Sequence, residues 1–583
     1  MSTHILKRKP LFCAMSAAAL LTACGGSDDA DHSATLPQTT AIVDGVPAID
    51  PQIADASRQL LADKKIRDIV ADLNTPANQK TRFNQHMELV RIASPSRYEL
   101  RMAAEVHRRM ASDWGFAAGE IKTRADGHLP GSDVQIVDGL PVYNACVEIK
   151  GSYSSSADAQ SYRGQFPKVL IESHIDVVNP EVLPPASQPY QPIKLQSVNE
   201  PVVSTPAQLA AISSELAFDG SGRIVEDANY ARASRWYATL DDAKAADAVR
   251  MYVPGYSDAM GNTSSLFMLA QMFKKHNIKP VYDVWICGTA GEEGKGNLAG
   301  MKQLYGFDQD LGTGSNPLNF VANFGSEGGG TINFTGSHRY EMKFKAPATL
   351  GNGQPSAVEA MAATIALIAD VKTPSELRPG ALKTTYTVGQ ASCEAPLNGV
   401  VPSCTLLVDM RSERTDTLNE VRDTVVPTFA AGVAAENARW SKTGGAADAV
   451  STEQLWYGLR PAFVNGDKAN IALQAGWQAA RDVGVDTGAN ASAKVPSGSG
   501  SLNDNVPANT GVPTYNWSLA SDVSNAGTHA FWEWGIKGDP ARETQRLQRA
   551  MMAVLIASGY NLADGKVVQP ALGPIGVRTR EAN

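Results

Sequence analysis

The sequence predicts an α/β protein: a mixed sheet flanked by helices, with a small α+β domain of split βαβ type inserted in it. Three observations point there. Apolar, strand-like runs alternate with helix-like segments through the first half of the chain. Near Gly336 the texture changes to a β-α-β-β-α order, the pattern of a small separate domain. Beyond it, α/β texture returns. A chain of 583 residues is also too long for one ordinary hydrophobic core.

In chain order, Ala93–Phe116 shows turn chemistry, then apolar positions at helical spacing, then Gly115. The strand-like runs are "VYNACVEIKG", "KVLIESHIDVV", "VYDVWICGTA" and "NFVANFG". Helical text such as "NTSSLFMLAQMFKKHN" and "GNLAGMKQLYG" separates several of them. From Gly336, "SHRYEMKFKA" alternates like a half-exposed strand and "VEAMAATIALIADV" reads as a helix. Two strands around Cys393 and Cys404 and a long helix ending in "AAENARW" follow. "ANIALQAGWQAARDVG" and "VPTYNWSL" resume the first domain. The Pro/Gln/Ser/Ala-rich stretch between Pro180 and Met251 is expected to be a rim insertion. The expected organisation is a signal at 1–23, a disordered tether at 24–50, catalytic parts at 51–335 and 451–583, and the insertion at 336–450.

Composition excludes some classes. Hydrophobic residues make up 43% and charged residues 19%, an ordinary globular balance. Net charge is −8 and no long Lys/Arg block follows the first ten residues, so nucleic-acid binding is not expected. The start is basic, then apolar and small-residue-rich, and ends in "LTAC" before "GGSDDADHSA". This resembles a bacterial lipoprotein signal, which implies cleavage before Cys24, lipid on its thiol, and a periplasmic, outer-membrane location. Such a compartment permits disulfides. A cross-strand Cys393–Cys404 bridge is expected, whereas Cys146 and Cys287, inside apolar strands, read as buried free thiols.

Chemistry concentrates at strand ends, where α/β sheets place their sites. "TAGEEGKG" puts two adjacent carboxylates, Glu292 and Glu293, where a buried strand ends. Like charges this close repel, and burying either is expensive without a cation. "ESHIDVV" sets His174 and Asp176 two residues apart, so Asp176 is expected to hold one ring nitrogen while the other faces a metal. "GYSDAMGN" places Asp258 in a Gly-flanked turn before a helix. "NFGSEGGG" places Glu327 after a strand, and "NAGTHAFWEWG" places His529 after a turn. His174, Asp258, Glu293, Glu327 and His529 together suit two zinc ions with Asp258 bridging. Glu292 is left as the general base, taking a proton from the attacking water. Gly328, Gly329 and Gly330 are expected to let substrate approach the backbone. His86, His107, His128 and His276 read as surface residues, and His338 as a strand-surface imidazole.

In this order, "SPSRYE", "SHIDVV", "SDAMGN", "TAGEEGKG", "SEGGG", "NDNVPANTGVP" and "GTHAFWE" resemble the co-catalytic zinc exopeptidases and amidohydrolases of the aminoacylase, glutamate carboxypeptidase, carnosinase and peptidase T type. The resemblance runs from about Ala93 to Glu533. It implies one zinc on His174 and Glu327, the other on Glu293 and His529, and Asp258 shared, with Co2+ or Mn2+ as substitutes. It also implies that the inserted domain is a lid, through which homodimers form, and that Asn398 of "PLNGVVP" touches substrate. Asp409 and Arg411 of "VDMRS" are expected to be structural. Peptides, with N-acyl amino acids as the alternative, are the implied substrates; a non-catalytic peptide- or metal-binding lipoprotein is the competing reading. One departure stands out. Where many relatives carry a lid histidine, this chain has Gln354, Pro355 and Ser356.

Overall fold

A computed structural model describes residues 40–572, except 91, 93, 124–135, 138–139, 154–165, 179–201, 205–249, 253–254, 310, 348–353, 395–400, 467, 486–493, 497, 521–522, 525–528, 530–533 and 537–538. Cys24, His128, Asn398 and most of the 181–250 segment therefore lie outside the described residues. Among the described residues no helix is long and apolar enough to cross a membrane.

The first described strand, Thr40–Val43, pairs with Val46–Pro47 and with Lys468–Ala469. These strands fall inside the 24–50 stretch expected to be a tether. Helices α1 (Pro51–Ala62), α2 (Lys64–Leu73), α3 (Pro76–Leu89) and α4 (Leu100–Ser112) follow. Asp50, Asp63 and Thr75 cap the first three by accepting backbone N–H bonds, and Pro sits in the first turn of α1 and α3.

The main sheet uses β1 (Ala145–Ile149), β2 (Lys168–His174), β3 (Asp283–Thr289) and β4 (Phe320–Gly325), with Thr514–Asn516 at its far edge. Its order is Thr514–Asn516, β4, β2, β3, β1; all neighbours are parallel except the β1–β3 pair. Every residue of β1, β2, β3 and β4 is buried, as expected for strands covered on both faces. The helix α5 (Gly261–Lys275) packs into the same core as Ile471–Val483 and Pro540–Ser558.

A second sheet is built from β5 (Gly336–Lys345), β6 (Thr384–Glu394), β7 (Ser403–Ser412) and β8 (Ser451–Arg460), in the order β6-β7-β5-β8 and antiparallel throughout. Helices Ala357–Ala369 and Thr415–Arg439 share its separate apolar core. The fold class read from the sequence is thus observed, a mixed sheet flanked by helices with an inserted α+β unit. The inserted sheet takes one strand more than the sequence reading assigned it, β8, which lies beyond the expected boundary at residue 450.

The Cys393–Cys404 bridge is present, joining partners opposite one another on β6 and β7. The expectation of free thiols at Cys146 and Cys287 is overturned. These two stand opposite each other across the antiparallel β1–β3 pair and form a disulfide. Burial alone does not reveal this, because it depends on the register of two strands far apart in sequence. Three histidines also differ from expectation. His86 and His107 are buried and bonded to the backbone oxygens of Tyr256 and Ala103. His338 is buried between Asn419 and Trp456, with Trp456 Nε1 donating to its Nδ1.

Candidate metal centre at the carboxyl ends of the sheet

Parallel strands deliver their carboxyl ends to one edge of the sheet, and the site lies there. His174 is the last residue of β2. Asp258 lies in the turn Tyr256–Met260 that leads into α5. That turn needs Gly255, whose φ is +78° and whose Cβ would come within 2.2 Å of Val177. Glu292 and Glu293 follow β3, and Glu327 follows β4. His529 arrives from far along the chain with a left-handed φ of 73°.

Asp258 is the hub. Its Oδ1 lies 3.1 Å from His174 Nε2 and its Oδ2 3.1 Å from His529 Nε2. Glu293 Oε1 is 3.3 Å from His529 Nε2. The ligand-type atoms of His174, Glu292 and Glu293 lie within 4.8 Å of one another, and so do those of Asp258, Glu293 and His529. Glu327 belongs to neither group, although its charge acts on His174. Asn503 Nδ2 donates to Glu327 Oε1 at 2.7 Å, while Glu327 Oε2 is buried with no hydrogen-bond partner among the described residues.

The electrostatics follow from packing acids and imidazoles together. Burial alone would lower the pKa of His174, but Glu327, Asp176 and Asp258 raise it well above the usual histidine range. His529, bonded to Asp258 and Glu293, is pushed up to about 10. Burial works to raise Asp258, yet its bonds to the two histidines hold it well below the carboxylate range. Burial and the Asp258 charge push Glu293 up to about 8. Glu327 is raised well above its usual value by burial and by Glu172. The acids crowd around two imidazoles, and among the described residues Glu327 Oε2 has no donor. An imidazole and carboxylate donor set of this kind fits divalent metal.

Asp176 faces the His174 ring mainly through its main chain. His174 Nδ1 lies 2.7 Å from the Asp176 backbone oxygen and 3.5 Å from its carboxylate. The Asp176 carboxylate instead accepts the backbone N–H groups of Glu292 at 3.0 Å and Glu293 at 2.9 Å, and the Ser96 hydroxyl at 2.7 Å. It therefore sets the course of the Glu292–Glu293 loop. The glycines also divide. A Cβ on Gly328 would meet Asn516 Oδ1 at 2.2 Å, so that position is closed by the protein itself. Gly329 is exposed with open space around it.

Several residues around the site were given no role from the sequence, although Asp504 lies within "NDNVPANTGVP". Glu172, inside β2, is fully buried, accepts from Thr289 and Asn503, and is pushed up to about 8 by burial and by Asp504. An acid in an apolar strand could have flagged it. Asp504 accepts from Asn323 at 2.9 Å and Asn516 at 2.6 Å. Arg460, at the end of β8, pairs with Glu292 Oε1 at 3.1 Å, and nothing local marks it. Arg411 Nε donates to Asp409 Oδ2 at 2.7 Å.

No family model matches the chain, and no curated protein matches it in sequence. Solved structures do match. The di-peptidase Dug1p from Saccharomyces cerevisiae is 13% identical with a TM-score of 0.50, covering 86% of this chain and 98% of that one. Human carnosine dipeptidase 1 is 10% identical with a TM-score of 0.48, covering 84% and 99%. A dinuclear metal binding peptidase from Bacillus subtilis is 12% identical with a TM-score of 0.41, covering 84% and 99%. The fold of this chain is that of the first of these, a two-part α/β architecture with an inserted α+β unit.

Proposed function

We propose that the protein is a dizinc hydrolase of peptide bonds, acting as an exopeptidase. The observation that carries this reading is the Asp258 carboxylate, shared at 3.1 Å between His174 and His529 with Glu293 alongside. A carboxylate with one oxygen turned to each of two histidines would suit a ligand shared by two cations. His174 with Glu327, and His529 with Glu293, would hold one ion each. Zinc held by these residues would supply Lewis-acid polarisation of the scissile carbonyl and a lowered pKa for water.

The chain's own groups do the rest. Glu292 takes the proton from water and returns it to the leaving amine. Its backbone N–H on Asp176 keeps it beside the ligand groups. Gly329 leaves room for the substrate backbone next to Glu327. The purified protein, loaded with zinc or cobalt, is to be assayed on peptides and N-acyl amino acids. Glu292→Ala should keep its metal and lose at least about 100-fold in kcat, the scale of a general base; His174→Ala should lose metal as well. Full turnover by the Glu292 variant would refute the assignment, and faster turnover of N-acyl amino acids than of peptides would make the protein a deacylase.

A further inference from the structure

The inserted sheet grips the loop that carries Glu292 and Glu293. Arg339 of β5 donates to the Gly294 backbone oxygen. Asn297 Nδ2 donates to the Tyr457 oxygen of β8 at 2.6 Å, and Lys295 pairs with Glu341 of β5 at 3.2 Å. The deepest of these contacts is Arg460. Its side chain is 2% exposed, its Nη1 lies 3.1 Å from Glu292 Oε1, and its Nη2 donates to the Glu292 backbone oxygen. Nη1 also reaches Ser501 Oγ at 3.3 Å and the Ser501 backbone oxygen at 3.4 Å.

One guanidinium therefore holds both the side chain and the main chain of the same glutamate. A planar fork suits such a two-point hold, and an ammonium does not reproduce it. Asp176 fixes the loop from the main-sheet side through the N–H groups of Glu292 and Glu293, and Arg460 fixes it from the inserted sheet.

We propose that Arg460 is a positioning residue: it orients the Glu292 carboxylate for proton transfer and makes turnover depend on the seating of the inserted sheet. This rests on the reading of Glu292 as the base. The test compares the zinc-loaded wild type with Arg460→Gln, Arg460→Lys and Ser501→Ala, measuring kcat and KM separately together with zinc stoichiometry and melting temperature. Arg460→Gln is expected to bind zinc in the wild-type ratio and to lose about 100-fold in kcat, the effect of a misplaced catalytic group, with KM nearly unchanged. Arg460→Lys should recover part of that loss, and millimolar guanidinium should restore part of the turnover of Arg460→Gln. If Arg460→Gln does not fold, Ser501→Ala, which leaves the ion pair but removes its support, should show a smaller loss confined to kcat. Wild-type kcat in Arg460→Gln, or in Ser501→Ala where Arg460→Gln does not fold, or a loss confined to KM, overturns the proposal while leaving the hydrolase reading intact. A wild-type protein without turnover on any peptide or N-acyl amino acid overturns both.

Discussion

Asn503 shows how much one side chain can organise. Its Nδ2 lies 2.9 Å from Glu172 Oε2, 2.8 Å from Thr289 Oγ1 and 2.7 Å from Glu327 Oε1. Three strand ends thus meet on one amide. Groups that orient a ligand commonly matter nearly as much as the ligand itself, at about 10–100-fold in metal affinity. Asn503→Leu is therefore expected to weaken metal binding by about that factor, as measured by competition with a chromophoric chelator. Unchanged affinity would show that Glu327 does not need this hold.

Among the elements, the inserted sheet and its two helices depend on a close approach. Gly432, within Thr415–Arg439, faces Thr364 of Ala357–Ala369; a Cβ at Gly432 would lie 2.1 Å from Thr364 Oγ1 and 2.6 Å from its backbone N. Backbone and hydroxyl cannot both yield, so the helices must separate to admit a side chain. Gly432→Leu should destabilise this unit by about 1–3 kcal/mol, the usual range for overpacking, read as a lower urea midpoint; an unchanged midpoint would contradict the packing. The same unit is tied to the main one by Asn505, whose Nδ2 donates at 2.8 Å to both Thr335 O and Pro461 O. These residues flank β5 and β8, where the chain leaves the main sheet and returns to it. Asn505 thus clamps both crossings beside Arg460.

For the molecule as a whole, acid should be the weak side. His86 lies in the main core and His338 in the inserted unit, and burial lowers both to about 4. Their unfolded pKa is near 6.5. Between these values the unfolded chain binds the extra protons, so the stability due to neutral, buried imidazoles is complete above about pH 6.5 and falls as pH drops to 4. Each group contributes a loss on the order of 3 kcal/mol by pH 4. Urea unfolding at pH 7, 5.5 and 4.5 should show a steeper decline for the wild type than for His338→Gln; parallel curves would mean that this imidazole is already protonated in the folded state.

Much of this was legible in the residues. Apolar runs ending in acids and histidines gave the main strands, and the texture change at Gly336 gave the inserted unit, because burial on both faces demands continuous apolar text. The same runs marked His174, Glu292, Glu293 and Glu327, since charged groups at buried strand ends need a reason to be there, while Asp258 and His529 stood out in Gly-containing turns. What was not legible depends on distance in space rather than order in sequence. The Cys146–Cys287 bridge arises from the β1–β3 register, the Asp176 carboxylate turns to backbone N–H groups of another loop, and Arg460 reaches Glu292 only when β8 closes the inserted sheet. Local chemistry selects which side chains can serve a metal site. Which of them touch, and what holds them there, is set by strand pairing and packing between segments that the linear chain keeps far apart.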